Sequence, residues 1–157
     1  MIHHERLLEL DAGPEDIWAV LDRFMHIDEF APLVVSVEAL TETPVGIGSK
    51  RRCHFADGNS VVEEVTAWEA NRRCRVRLSD TDPMPLMEAH AEISITPQGS
   101  GRSTVRWSMD YRLKYGPFGW LLGQTVMKRM MSKVLDGNLH GLADKVRSDR
   151  VRRARSA

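Results

Sequence analysis

The chain has 157 residues, of which 42% are hydrophobic and 28% charged, a composition that suits one globular domain with a single core. Basic and acidic residues number 22 each, so no overall charge favours nucleic acid or an acidic membrane. The N-terminus lacks the apolar run of a signal peptide, and no stretch reaches the roughly 18 apolar residues of a membrane span. With two cysteines, the composition predicts a cytoplasmic protein with reduced thiols, no nucleic-acid partner and no stable membrane insertion. It leaves the oligomeric state open.

Two short helices are predicted after an opening strand. Residues 2–10 alternate loosely between apolar and polar side chains and can start a sheet. Pro14 suits the first turn of a helix over residues 14–21. A second helical piece at residues 27–30 ends before Pro32, which cannot continue it. These helices would lie between the first strand and the remainder of the sheet.

Six further strands are predicted, each separated from the next by turn residues. Asp57, Gly58 and Asn59 form a hairpin signal between the second and third of these runs. The runs cover residues 34–42, 49–56, 61–68, 73–79, 86–96 and 103–115. With the opening strand they make seven.

The alternation of side chains along these runs predicts one apolar face. In the last run every second residue from Val105 to Tyr115 is apolar or aromatic, and charged residues lie between them. Ala89 and Ala91 take the same inward parity in the preceding run. The parities place no histidine on this face. A curved antiparallel sheet with one apolar concave face is the consistent interpretation.

Residues 117–146 predict one long amphipathic helix that covers the concave face. About thirty residues at about 1.5 Å each give a rod of roughly 45 Å. Glycines within it (Gly123, Gly137 and Gly141) indicate bending or a close approach of another segment. Its apolar face includes Met127, Met130, Met131 and Val134.

In the order and spacing of its motifs, the chain resembles the START/Bet v 1-like (SRPBCC) superfamily of helix-grip proteins, which includes polyketide cyclase-like and lipid-carrier proteins. The matching segments are PEDIWAVL at 14–21, GIGSKR at 46–51, DG at 57–58, EEVT at 63–66, WEANRR at 68–73 and GWLL at 119–122. The resemblance implies an α+β fold: a seven-stranded curved antiparallel sheet wrapped around the C-terminal helix, with two short helices after the first strand. It also implies a largely apolar cavity between sheet and helix. Members bind lipids, hormones, quinones and polyketides, and some are cyclases or hydrolases, so the fold does not determine the activity.

We therefore expect residues 1–148 to form one ligand-binding domain of this type. Residues 149–157 are expected to form a flexible basic tail. Its arginines could contact nucleic acid or a membrane, but a solvated chain end explains them better.

Arg51 and Glu63 are the strongest candidates for a polar part of the site. Both take the inward parity of their strands, where an unpaired charge is costly and a partner or a polar ligand is expected. The resemblance to plant hormone receptors of this superfamily implies that both positions lie on the pocket side and that the glutamate contacts ligand through water. An internal salt bridge, or a register that leaves both solvated, explains the pair equally simply.

Apolar and aromatic side chains of the concave face are the other candidates. Trp107, Tyr111 and Tyr115 offer aromatic walls with polar tips, and the methionines offer an adaptable lining; plain core packing accounts for each as well. Small residues at Ala89 and Ala91 would leave space beneath the helix. The full set of candidate ligand-binding residues is Arg51, Cys53, Phe55, Glu63, Val76, Met87, Ala89, Ala91, Trp107, Met109, Tyr111, Met127, Met130, Met131 and Val134.

Three functions are compatible with this pattern. The first is binding or carriage of a hydrophobic small molecule of lipid, quinone, polyketide or aromatic type. The second is a cyclase or dehydratase with Glu63 as general base and Tyr111 or Tyr115 as proton donor. The third is a partner-regulated module gated by loops 57–60 and 80–85. We expect Cys53 and Cys74 to be buried free thiols, and we expect no metal and no cofactor.

Overall fold

The computed structural model describes residues 1–156, except for the side chains of Leu122 and Gly123. It contains seven strands, three α-helices and one 3₁₀-helix, η1, in the described residues. The strands are β1 (Ile2–Leu10), β2 (Val34–Ala39), β3 (Lys50–Phe55), β4 (Ser60–Glu69), β5 (Arg73–Ser79), β6 (Leu86–Gly99) and β7 (Arg102–Leu113). The helices are α1 (Pro14–Leu21), η1 (Phe24–Glu29), α2 (Gly116–Gln124) and α3 (Val126–Ser156).

The strands form one antiparallel sheet in the order β1-β7-β6-β5-β4-β3-β2. The first strand therefore pairs with the last. Helix α3 packs against β1, β7, α1 and α2, so it crosses the inner face of the curved sheet. The predicted helix-grip architecture is confirmed.

The hairpin between β3 and β4 forms where the sequence predicts it. Phe55 donates its backbone N–H to the carbonyl of Asn59 at 2.8 Å. The side chain of Asp57 accepts the backbone N–H of Asn59 at 2.9 Å. Gly58 has a φ of 88°, a left-handed conformation that glycine adopts without steric cost.

The long C-terminal helix differs from its prediction at both ends. Two helices replace one, because α2 ends at Gln124 and α3 begins at Val126. Helix α3 continues to Ser156, so the described part of the expected tail, residues 149–156, forms its last turns. Arg150 there donates to the backbone carbonyl of Asp11. Ala157 lies outside the described residues.

The interior consists of two clusters of buried side chains. The main cluster joins α1, η1, the central strands and the C-terminal half of α3, and includes Trp18, Phe24, Trp107, Leu139 and Leu142. The methionine cluster lies beneath the N-terminal part of α3. Its buried members are Ile2, Leu86, Ala89, Met109, Tyr111, Leu113, Met127 and Met131.

A glycine of α3 allows close contact with the end of η1. A Cβ added at Gly141 would lie 2.0 Å from the carbonyl oxygen of Phe30, so no larger residue fits without backbone movement. A Cβ at Gly137 would make only an ordinary contact, 3.7 Å from Pro32 Cγ. The predicted close approach is thus confirmed at Gly141. The surroundings of Gly123 lie outside the described side chains.

Candidate ligand-binding cavity

A small cavity of about 40 Å³ lies in the main cluster beneath η1. Because about 10–15 Å³ of such space holds one water molecule, the cavity has room for a few waters and not for a lipid. Arg23, just before η1, lines the cavity and is exposed, so the cavity comes nearest to the protein surface at this residue. The lining residues are Leu21, Arg23, Phe24, Ile27, Phe30, Arg51, Glu63, Cys74, Val76, Ala91, Ile93 and Trp107.

An ion pair between Arg51 and Glu63 supplies the charged part of this lining. The two residues face each other in the β3–β4 register, and Arg51 Nε donates to Glu63 Oε2 at 2.6 Å. Only 7% of the Arg51 side chain and 15% of the Glu63 side chain are exposed. Burial alone would lower the pKa of Arg51, but the charge of Glu63 opposes it and the net pKa is raised. The predicted inward placement is confirmed, as an internal salt bridge.

Arg51 also attaches η1 to the sheet. Its guanidinium carbon lies 3.8 Å from the centroid of the Phe24 ring, within the range of a cation–π contact. Its Nη1 donates to the backbone carbonyl of Phe24. Helix η1 is irregular at His26, where φ is −121° and ψ is 29°. One arginine therefore neutralises Glu63 and holds the irregular helix that covers the cavity.

Aromatic contacts complete the covering of the cavity. The Phe24 and Trp68 rings meet edge to face at 6.2 Å, and the Phe30 and Trp107 rings lie 6.3 Å apart. Such pairs add about 0.5–1.5 kcal/mol each beyond the burial of their area. Helix η1 is thus held at both ends by an aromatic side chain.

The two thiols are buried, and burial disfavours their thiolate form. Burial raises the pKa of Cys53 to about 12, and the charge of Glu63 adds to the shift. Burial likewise raises the pKa of Cys74 to about 12. Both cysteines are free, as predicted. A thiol that stays protonated at neutral pH is a poor nucleophile, although Cys53 Sγ lies 3.7 Å from Glu63 Oε2.

The predicted site residues separate into three groups. Arg51, Glu63, Val76, Ala91 and Trp107 line the cavity, with Cys53 in contact with Glu63. Phe55 and Val134 are half-buried. The third group lies away from the cavity, and ligand contact by any of these residues stays a prediction. Its members in the methionine cluster are Ala89, Met109, Tyr111, Met127 and Met131.

Three inward placements are wrong. Met87 is exposed, because a register shift between Leu86 and Glu88 turns Leu86 inward in its place. Tyr115 is exposed because β7 ends at Leu113 and the chain turns with a φ of 66° at Tyr115. Met130 is exposed, since Met127 and Met131 occupy the helix face that contacts the sheet.

A histidine lies on the inner face, contrary to expectation. His4 shares the buried parity of β1 with Ile2, and its Nε2 lies 2.8 Å from the Tyr111 hydroxyl. Burial lowers the pKa of His4, and the charge of Lys128 adds to this. Burial raises the pKa of Tyr111 to about 12. The pair belongs to the methionine cluster and is not part of the cavity lining.

Sequence reasoning missed seven of the described lining residues, of which Arg23, Phe24, Ile27 and Phe30 lie in or next to η1. The others are Leu21, Cys74 and Ile93. Phe24, Ile27 and Phe30 recur at intervals of three, which is the period of a 3₁₀-helix. That spacing is the signal that could have identified them. The two loops expected to act as gates, 57–60 and 80–85, contribute no residue to the described lining.

Other kinds of site receive no support from the described residues. Within residues 1–156, no group of three or more His, Cys, Asp or Glu side chains could hold a metal ion. No helix in that range is both long and apolar enough to cross a bilayer.

The curved seven-stranded sheet and the long helix across its inner face define a helix-grip protein. Residues 1–147 match the family described as polyketide cyclase / dehydrase and lipid transport. The chain belongs to this family, which confirms the superfamily resemblance of its sequence.

Solved structures at low identity show the same fold. A START superfamily protein from Mycobacterium smegmatis is 17% identical, with a TM-score of 0.74 over 93% of this chain and 97% of that chain. The protein XoxI from Bacillus cereus is 18% identical, with a TM-score of 0.74 over 93% and 96%. Norcoclaurine synthase from Thalictrum flavum, solved with dopamine and hydroxybenzaldehyde, is 15% identical, with a TM-score of 0.72 over 93% and 86%. No curated protein matches the sequence.

Proposed function

We propose that this protein binds or carries a hydrophobic small molecule, of lipid, quinone, polyketide or aromatic type, in an enlarged form of the cavity beneath η1. The observation that carries the proposal is a buried ion pair in a lining that is otherwise apolar except for Arg23 near the surface. Apolar surface would supply affinity at about 25 cal/mol per Å². The Arg51–Glu63 pair would orient a polar group of the ligand.

A ligand of this class requires the cavity to open. The walls on β3 to β7 are held by backbone hydrogen bonds between strands, whereas η1 is short, irregular and held mainly by side chains. Outward movement of η1 is therefore the proposed route of entry. It separates Arg51 from the Phe24 carbonyl and leaves guanidinium donors for the ligand.

A cyclase or dehydratase is the weaker candidate. A general base must be free to accept a proton, but Glu63 is bonded to Arg51 and to Cys53. Tyr111, the best remaining donor, bonds to His4 in the other cluster. If a substrate becomes known, unchanged turnover in Glu63→Gln removes the enzymatic assignment.

Binding is tested by native mass spectrometry and by titration with 8-anilinonaphthalene-1-sulfonate, an aromatic anionic probe. Ala91→Leu fills the cavity, and its matched control, Met87→Leu, alters an exposed position on the same strand. We expect Ala91→Leu to weaken binding about tenfold or more through lost space, and Met87→Leu to leave it unchanged. Equal affinity in both variants, in folded protein, would place the probe elsewhere and contradict the proposal. We also propose that the domain is located in the cytoplasm, and cell fractionation tests this separately.

A further inference from the structure

Helix α2 exposes large apolar side chains and has no charged residue. Its sequence is GPFGWLLGQ. Phe118 is 83% exposed, Trp120 59% and Leu121 56%. Tyr115 and Val126, just outside the helix, are also exposed. Together these residues form what we call the α2 patch. A contiguous exposed apolar surface of this kind marks an interaction site in a soluble domain.

The orientation of α2 is determined by a glycine. Gly119 is the buried residue among the described side-chain positions of α2. A Cβ there would lie 2.8 Å from the Lys114 carbonyl oxygen and 3.0 Å from Leu113 Cβ. The helix therefore lies against the end of β7 through its smallest residue, and its aromatic side chains point away from the protein.

The α2 patch lies in a cationic part of a neutral chain. Residues 111–135 contain no acidic residue and five cationic ones, namely Arg112, Lys114, Lys128, Arg129 and Lys133. Arg112 pairs with Glu88 and Lys114 with Asp82. Lys128, Arg129 and Lys133 are exposed, and no salt bridge found among the described residues involves them.

We propose that the α2 patch docks on an anionic lipid surface. Phe118, Trp120 and Leu121 enter the boundary between headgroups and acyl chains, while Lys128 and Arg129 contact anionic headgroups. Aromatic side chains, tryptophan above all, favour that boundary. Nine residues at about 1.5 Å each span roughly 14 Å, so α2 lies in the interface and does not cross the bilayer. Docking is shallow and reversible.

A second copy of the chain fits the α2 patch less well. A two-fold symmetric interface places the same surface of both copies face to face. Lys128, Arg129 and Lys133 of both copies would then be brought into one interface, and like charges at an interface oppose association. An anionic bilayer complements both the apolar and the cationic part of the surface. None of the described residues of α2 lines the cavity, so the proposal stands apart from ligand binding.

The test is vesicle flotation of the full chain, with tryptophan fluorescence as a second readout. One set of vesicles contains phosphatidylcholine alone, and the other also contains phosphatidylglycerol. We expect flotation with the anionic vesicles and its reduction by salt. Trp18 and Trp107 are buried and the half-buried Trp68 packs against Trp18 and Phe24, so a blue shift and quenching by brominated lipid that are lost in Trp120→Ser should arise from Trp120. Wild-type protein that binds neither set overturns the proposal.

Matched variants separate the apolar and cationic contributions. Trp120→Ser should lower partitioning about tenfold or more, whereas Ile47→Ser, at an exposed site in the β2–β3 connection, should leave it unchanged. Lys128→Gln with Arg129→Gln should lower binding to anionic vesicles about fivefold per charge. Arg152→Gln with Arg155→Gln, about 40 Å further along α3, is the control.

Two results besides failure of binding would overturn the proposal. One is equal loss in the test and control variants, measured on protein whose circular dichroism is unchanged. The other is a wild-type dimer in solution that Trp120→Ser converts to monomer without any effect of anionic lipid. That second result would assign the α2 patch to a second copy.

Discussion

The two clusters of the interior are built in opposite ways. In the methionine cluster, a regular helix lies on the sheet and Met127 and Met131 fill the space between them. In the main cluster, a short irregular helix lies over the central strands, and a charged pair and a cavity remain beneath it. Flexible methionine side chains adapt to fill irregular gaps. Phe24 and Phe30 instead have rigid rings, and they stack on other groups around the cavity.

The difference indicates why the described cavity lies in the main cluster and not in the methionine cluster. The cavity lies where the covering helix, η1, is short and kinked. Side chains attach η1 to the sheet, and no backbone hydrogen bond among the described residues joins it to the strands. Four predictions test this contrast between the clusters, beginning with the largest expected effect.

Removal of Arg51 should destabilise the main cluster most. In Arg51→Met, Glu63 loses its partner, and breaking a buried ion pair costs about 3–5 kcal/mol. The double variant Arg51→Met/Glu63→Met replaces both charges by apolar groups and should recover most of that loss. Urea unfolding of these two variants and of Glu63→Met gives the free energies of unfolding for a double-mutant cycle. A loss in the double variant equal to the sum of the two single losses would show that the pair is not coupled.

Helix α3 should be sensitive at Gly141 and tolerant at Gly137. Gly141→Ala places a methyl group against the Phe30 carbonyl, and overpacking against backbone costs about 3 kcal/mol. Gly137→Ala makes only an ordinary contact with Pro32 and should stabilise the helix by up to about 1 kcal/mol. Thermal unfolding measures both. Equal effects would mean that α3 does not contact the end of η1.

Two alanines on β6 should respond differently to added methyl groups. Ala89 is buried in the methionine cluster, so Ala89→Val should cost about 1–2 kcal/mol by overpacking. Ala91 lines the cavity, and Ala91→Val should be tolerated because space is already present. Chemical denaturation compares the variants. A larger loss at Ala91 would contradict the packing difference between the clusters.

The adjacent residues His3 and His4, at the edge of the methionine cluster, should have pKa values on opposite sides of the ordinary histidine value of 6.5. A hydrogen bond to Asp110 raises the pKa of His3, so its contribution to stability is complete below 6.5 and is lost as pH rises through its folded pKa. Burial lowers the pKa of His4, so its contribution is present above 6.5 and is lost as pH falls through its folded pKa. NMR of the imidazole carbons measures both. Asp110→Asn should lower the pKa of His3 and leave His4 below 6.5.

Side-chain alternation predicted the sheet because each strand buries one face. It worked best in β7, where Val105, Trp107, Met109 and Tyr111 are all buried. It failed at Met87, since a register shift reverses parity without any change of composition. Helix periodicity predicted α3 but could not reveal the break before Val126, because apolar residues continue through α2.

The candidate site was predicted only in part for a related reason. Arg51 and Glu63 were found because a charge of inward parity is unusual. The cavity was expected between the sheet and the long C-terminal helix and lies beneath η1, because helical spacing identifies a covering helix without revealing how tightly its side chains fill the space below. The role of His4 was missed because alternation in β1 is loose.

The pairing of β1 with β7 has a consequence for synthesis of the chain. His3 and Asp110 bond to each other from positions 107 residues apart. At the about 5–20 residues per second of translation, the first strand waits roughly 5–20 s for its partner. During that interval β6 ends the sheet as an unpaired edge, and α3 does not yet cover the apolar inner face. An open edge beside an exposed apolar surface favours aggregation, so the nascent chain is most prone to aggregation just before β7 leaves the ribosome.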